Sequence, residues 1–308
     1  SADGELAVYV LSETVGKGDD EKQCTSLWRA DTNGGTPQRL TAARGNDQQP
    51  QLSSDGNFVY FLSDRNDVNQ IYRLPLSGGE AEQLTDLPQG VTLYDLSPDG
   101  KTLAFAALAE LPSPQGPHDH VRVTRAWWRM DVLGYLDKIA QQLHTVSAKG
   151  GKHKALTEPE GMVTGLHWSP DGSEIYFTSD RGGSPQIYEM NVTNKKIRRK
   201  TFEGTYNARA RYTPDGKSFV FVHRRDGLFH IAVQNLRTGK LQILTDTTLD
   251  ESPTISPNGK VIIYATKDKE KDILAGISID GKTRFILPTN SGGVREPSWS
   301  PLLVSTGN

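Results

Sequence analysis

The sequence predicts an all-β, six-bladed β-propeller with four antiparallel strands per blade, and two observations carry that expectation. A Ser/Thr-x-Asp/Asn-Gly turn recurs: Ser1-Ala-Asp-Gly4, Ser53-Ser-Asp-Gly56, Ser97-Pro-Asp-Gly100, Ser169-Pro-Asp-Gly172, Thr213-Pro-Asp-Gly216 and Ser256-Pro-Asn-Gly259. A truncated seventh copy, Trp299-Ser300-Pro301, stands near the C-terminus, and the starts lie 52, 44, 72, 44, 43 and 44 residues apart. Six intervals give six blades. The second observation is the segment after each turn: an alternating β-rich run, a polar loop and another strand, with no 3.6-residue period of the kind a helical solenoid needs.

Each element has a local reason. Proline presets φ at the second turn position, and Asp/Asn-Gly supplies the left-handed geometry a tight hairpin requires. The second strands read Phe58-Val-Tyr-Phe-Leu62, Ile175-Tyr-Phe-Thr178, Phe219-Val-Phe-Val222 and Val261-Ile-Ile-Tyr264. The third strands read Gln70-Ile-Tyr-Arg-Leu74, Gln186-Ile-Tyr-Glu-Met190 and His230-Ile-Ala-Val233. Short outer strands end in Leu-Thr, at Gln83-Leu-Thr85, Ala155-Leu-Thr157 and Ile243-Leu-Thr245. The segment before each turn is the innermost strand. Because Arg295-Glu-Pro-Ser-Trp-Ser-Pro301 has that form and residues 1–11 begin with the turn alone, the C-terminal strand is expected to complete the first blade and close the ring, protecting exposed edges.

Composition narrows the function. Hydrophobic residues make up 35% and charged residues 23%, with no 18-residue apolar run, so a soluble globular chain without membrane insertion is expected. A net charge of −2 gives no clustered positive surface for a nucleic acid. The single cysteine, Cys24, excludes an internal disulfide. Residues 1–4 read as a turn, so no signal peptide is expected in this chain. The long third interval carries an insertion over about residues 110–140, with Trp127-Trp128 between Arg125 and Arg129. It reads as a hairpin extension packed on its own propeller or as a recognition arm. No Gly-x-Ser-x-Gly elbow and no His-x-x-x-His pair occurs, so no catalytic residue, metal ligand or cofactor is assigned.

Two family resemblances rest on specific runs. Residues from about 160 to 303 resemble the propeller of the TolB family of the Tol–Pal system, through Ile175-Tyr-Phe-Thr-Ser-Asp-Arg-Gly-Gly-Ser-Pro-Gln-Ile-Tyr188, Thr205-Tyr-Asn-Ala-Arg-Ala-Arg-Tyr-Thr-Pro-Asp-Gly216, His230-Ile-Ala-Val-Gln-Asn-Leu-Arg237 and Leu249-Asp-Glu-Ser-Pro253. Residues from about 1 to 157 resemble the N-terminal propeller of the prolyl oligopeptidase and acylaminoacyl peptidase group. That likeness rests on Ser26-Leu-Trp-Arg-Ala-Asp31 before Gly34-Gly35, Phe61-Leu-Ser-Asp-Arg65, and Arg122-Val-Thr-Arg125 with Gly134-Tyr-Leu-Asp137 after it. Together they read as one propeller of two halves, 1–157 (blades 1–3) and 158–308 (blades 4–6 plus the closing strand).

Three functions stay open: a non-catalytic engineered or recombined hybrid scaffold with no native activity, a periplasmic protein-binding propeller of TolB type, and an orphan substrate-gating propeller of a peptidase. The TolB resemblance implies that the channel face receives a Pal-like lipoprotein or an extended peptide such as a colicin segment. The residues the resemblance implies on that face are Thr164, Asn207, Arg209, Glu251, Arg295 and Glu296. Gly165 departs from that family, which commonly has an acidic residue there. A monomer is expected.

Overall fold

The computed structural model describes residues 6–16, 21–32, 34–42, 45–110, 129–130, 134–135, 139–269, 271–287 and 297–299. Among them every regular element is a β-strand. Five sheets have four antiparallel strands each. Blade 2 runs Asp47–Leu52, Phe58–Ser63, Gln70–Pro75 and Glu82–Gln83 from inside to outside, and blade 3 runs Val91–Leu96, Thr102–Glu110, Ile139–Ser147 and Lys154–Ala155. Blade 4 comprises Val163–Trp168, Glu174–Ser179, Gln186–Asn191 and Ile197–Arg199. Blade 5 comprises Asn207–Tyr212, Ser218–Arg225, Leu228–Asn235 and Leu241–Ile243, and blade 6 Glu251–Ile255, Val261–Asp268, Lys271–Ser278 and Arg284–Leu287. Blade 1 contributes Leu6–Val15, Lys22–Asp31 and Gln38–Arg39. The fold is a six-bladed β-propeller of four-stranded antiparallel blades, as the repeat predicts.

Most of the expected closing strand, including Arg295 and Glu296, lies outside the described residues. Its Trp299 is described, and the indole Nε1 donates to the Thr254 carbonyl of the blade 6 inner strand at 3.3 Å. Trp127 and Trp128 of the insertion also lie outside, while Arg129–Met130 pairs antiparallel with Gly134–Tyr135. The chain divides into two units: the described parts of residues 1–109 and 142–158, and those of 110–141 and 159–299.

The turn works the same way in every blade where it is described. The hydroxyl of Ser53, Ser97, Ser169 and Thr213 donates to the carboxylate two residues on, at 2.5–2.6 Å, and Ser256 does so to Asn258 at 2.7 Å. The same hydroxyl accepts the amide five residues on, that of Phe58, Thr102, Glu174, Ser218 or Val261. The glycine that closes the turn sits at φ 67 to 71°, where a Cβ would be strained. A further copy that the repeat count misses, Ser278-Ile-Asp-Gly281, joins the outer strands of blade 6 with the same bonds.

Where an outer strand ends, its threonine ties it down. The amides of Leu27, Ile71, Leu143, Ile187 and Ile231 donate to the Oγ1 of Thr41, Thr85, Thr157, Thr201 and Thr245 at 2.9–3.0 Å. All five threonines are buried. Between blades 1 and 2, 2 and 3, and 5 and 6 the space is apolar: Leu27, Val59 and Phe61 share one cluster, Leu62, Ile71 and Phe105 another, and Val220, Ile262 and Tyr264 a third. Burying each such side chain contributes about 1.5–3 kcal/mol.

Substitution tests both kinds of bond. Thr85→Val or Thr201→Val keeps the volume but strands a buried amide, so each should destabilise the protein by about 1–3 kcal/mol in chemical denaturation. In the turns, the Ser53 hydroxyl and then the Asn57 amide hold the Asp55 carboxyl down to about 2, and Asp99, Asp171 and Asp215 are lowered by the corresponding bonds. A carboxyl lowered on folding stabilises above its unfolded value, near 4, and that contribution is lost as pH falls through the folded value. Replacing Asp55, Asp99, Asp171 and Asp215 together by Asn, the amide found at Asn258, should flatten the loss of thermal midpoint between about pH 4 and 2.

Candidate functional site

The inner strands are irregular at one shared place, four to five residues before the turn. In blade 2 Gln48 pairs with Leu62 and Gln51 with Tyr60, so two residues face one, and blades 5 and 6 repeat this between Ala208 and Arg211 and between Glu251 and Thr254. Blades 3 and 4 carry a one-residue shift at Val91/Leu93 and Val163/Gly165. A bulge breaks the ladder and re-aims a side chain, a device common beside functional sites. Here it puts non-glycine residues in the left-handed region: Gln49 at φ 53°, Arg209 at 57° and Ser252 at 53°. Such conformations persist only where the surroundings impose them.

In the second unit these bulges gather several of the expected residues. Arg209 is half-buried. Its amide donates to Thr178 Oγ1 at 3.1 Å, and its Nη1 donates to the hydroxyl of Ser252 in the next inner strand at 2.8 Å. Glu251, half-buried, starts that strand. Tyr206 feels both charges: its hydroxyl is pushed up chiefly by burial, lowered by Arg209 and raised by Glu251. Thr164 is the extra residue of the blade 4 bulge and is exposed. At Gly165 a Cβ would stand 3.8 Å from the Arg209 Cα, an ordinary contact, so no clash excludes a side chain there.

Asn207 lies apart from this group. It is fully buried, its Nδ2 donating to Gln186 Oε1 and to the Glu203 carbonyl at 2.8 Å, with its Oδ1 2.7 Å from His223 Nδ1. The structure places this expected contact residue in a buried network, where the amide pins the blade 4–blade 5 connection to two strands. Arg295 and Glu296 lie outside the described residues.

The structure adds residues the sequence did not single out. Ser252 is one, because its serine gives no sign of φ. Another set is the apolar fringe near the strand starts of blades 5 and 6, where Leu228 and Leu249 are exposed and Phe229 bridges to Leu249. Tyr206 packs edge-on against Phe229 at 5.3 Å, and the Arg224 guanidinium sits 5.5 Å over the Phe229 ring. Aromatic rings, arginine and an exposed apolar rim suit protein contact better than chemistry. No group of three or more His, Cys, Asp or Glu among the described residues is arranged to hold a metal.

Known proteins share this architecture. The family model of the TolB beta propeller domain matches residues 133–303, more than half the chain, and the chain belongs to that family. The Tol-Pal system protein TolB of Pseudomonas aeruginosa is 50% identical over 104 residues, 33% of this chain and 24% of that protein. TolB of Nitrosospira multiformis is 43% identical over 118 residues, 37% of this chain and 27% of its own length. The match thus spans about a quarter of the length of these curated relatives. The crystal structure of TolB from Acinetobacter baumannii superposes with a TM-score of 0.68 at 33% identity, covering 90% of this chain and 63% of that one. Pyrococcus horikoshii acylaminoacyl peptidase also superposes with a TM-score of 0.68, over 92% of this chain and 44% of its own, but at 12% identity. That second likeness is one of fold alone, and it runs beyond the first half of the chain.

The two kinds of residue separate experimentally. Asn207→Ala should cost about 1–3 kcal/mol of stability by stranding Gln186 and His223, and Thr164→Ala less than about 0.5 kcal/mol. Urea unfolding of both variants checks this.

Proposed function

We propose that this chain is the propeller portion of a TolB-type protein of the Tol–Pal system, a non-catalytic periplasmic module that binds a Pal-like lipoprotein or an extended peptide at the starts of its inner strands. The supporting observation is the 33% identity with a solved TolB across 90% of this chain. The inner-strand bulges present Arg209 and Glu251 beside the exposed Thr164. The contact set is Thr164, Arg209 and Glu251, joined through the family resemblance by Arg295 and Glu296. Among the described residues no helix is long and apolar enough to cross a membrane.

A second reading, the hybrid scaffold without native activity, is favoured by one feature: strong identity to TolB covers only about a third of the chain. Titration against the soluble domain of a Pal-like lipoprotein separates the two. The TolB reading expects saturable binding that Arg209→Ala and Glu251→Ala each weaken at least tenfold, about 1.4 kcal/mol, with thermal midpoints unchanged. A folded chain that binds neither this domain nor an extended colicin-type peptide favours the scaffold.

A further inference from the structure

The repeat supplies its own control for one cavity. Between blades 5 and 6 five corresponding positions hold Val220, Val233, Leu244, Ile255 and Ile279, all packed in one apolar cluster. They are the residue seven past the turn, its cross-strand partner, the residue before the outer-strand threonine, the last residue of the next inner strand, and the residue whose amide bonds the next turn. Between blades 2 and 3 the same positions hold Tyr60, Arg73, Leu84, Leu96 and Ala148, still mostly in the core. Between blades 4 and 5 they hold Tyr176, Glu189, Lys200, Tyr212 and Leu236, and there the interface opens as a cavity of about 530 Å³. Between blades 5 and 6 hydrocarbon fills this place, so the ion pair and open volume here run against stability.

The lining is chemically biased. Tyr176 and Tyr212 meet edge to face with centroids 4.4 Å apart. The Tyr176 hydroxyl donates to Glu189 Oε2 at 2.6 Å and lies 3.4 Å from Glu174 Oε2. Lys200 Nζ sits 2.6 Å from Glu189 Oε2. Among the described residues Glu174 has no cation at ion-pair distance; its carboxyl is raised first by burial and then by the Glu189 charge, while the more distant Lys200 acts in the opposite direction. Asp171 and Asp215 add two more carboxylates at the rim, so four acids line the cavity against the one ammonium of Lys200. Pro170, Pro214 and Leu236 complete an apolar wall.

We propose that this cavity binds an organic cation, a primary ammonium or guanidinium on an aliphatic stem, with the charge toward Glu174 and the stem against the tyrosine rings and Leu236. Aromatic faces and a carboxylate outside the Glu189–Lys200 ion pair are what such a group requires, and the volume falls in the range of small-ligand sites. The site opens at the Ser-Pro-Asp-Gly turns, at the opposite end of the Asn207–Tyr212 strand from the bulges, and stands whether or not the TolB-type reading holds. The cation comes from a lysine or arginine side chain of a partner protein or from a free diamine.

Titration of the purified chain with N-acetyl-lysine methylamide, N-acetyl-arginine methylamide and 1,5-diaminopentane, tracked by the ring NMR signals of Tyr176 and Tyr212, tests this. Saturable binding of any of the three, weakened at least tenfold by Glu174→Gln, is expected. Preference for the capped amino acids assigns the site to a partner's side chain, and preference for the diamine to a free ligand. Because Glu174 is only part-buried, Glu174→Gln should keep the wild-type thermal midpoint; Asp171→Asn at the rim, with a smaller loss, serves if it does not. No saturation by about 10 mM of any probe, or equal binding of the uncharged N-acetyl-norleucine methylamide, would overturn the proposal.

Discussion

One buried hydrogen bond holds the outermost strand in place in blades 1 to 5. The outer strands have only two to four residues, which leaves few ladder bonds to hold them. At the end of each of these five, the threonine hydroxyl accepts a third-strand amide while the residue before it donates back to that same residue's carbonyl, as Leu84 does to Ile71 and Leu244 to Ile231, at 2.8 Å. Both polar groups of one buried residue are thereby satisfied, which an apolar interior demands. Thr85 and Thr201 pass their own protons to Gln70 and Gln186, at 2.8 and 2.7 Å, so the bond is anchored again behind the threonine. In blade 5 histidine stands where those glutamines are, and Thr245 turns to Asp250 instead. The network keeps its function with different members.

With the outer strands fixed, apolar side chains fill the space between blades 1 and 2, 2 and 3, and 5 and 6. Between blades 4 and 5 an ion pair and two tyrosines stand beside the apolar cluster of Ile187, Phe219 and Phe221. Glu189 survives burial there because Tyr176 and Lys200 both reach it. Removing Lys200 would leave the Glu189 charge without its counter-ion, the costly case for a buried ion pair.

The strand starts obey a different constraint. A regular ladder would turn the side chains at these positions into the blade faces. The bulges break that alternation, and Arg209 bridges two inner strands through Ser252 instead of packing within one. Its left-handed backbone is held by the Thr178 hydroxyl from the neighbouring blade. The result is a surface assembled from several strands at once, with tyrosine, phenylalanine and arginine close together.

By itself the sequence determined the blade count, the strand order within each blade and the turns, because these arise from local chemistry repeated at a fixed interval. Ser-Pro-Asp-Gly contains its own donors, acceptors and left-handed glycine, and Leu-Thr marks the end of an outer strand wherever it falls. The likeness to TolB was legible in Thr205–Gly216 for the same reason: short runs carry it. The tertiary structure decided which polar residues reach across to the next blade and which are buried in the interior. Asn207 and Arg209 are two apart in sequence and equally polar, yet the bulge between them sends one into a buried network and the other across to the next blade. The cavity beside Glu174 was equally hidden, since its lining comes from two blades and its emptiness is a property of volume, which side chains acquire only once they are packed together.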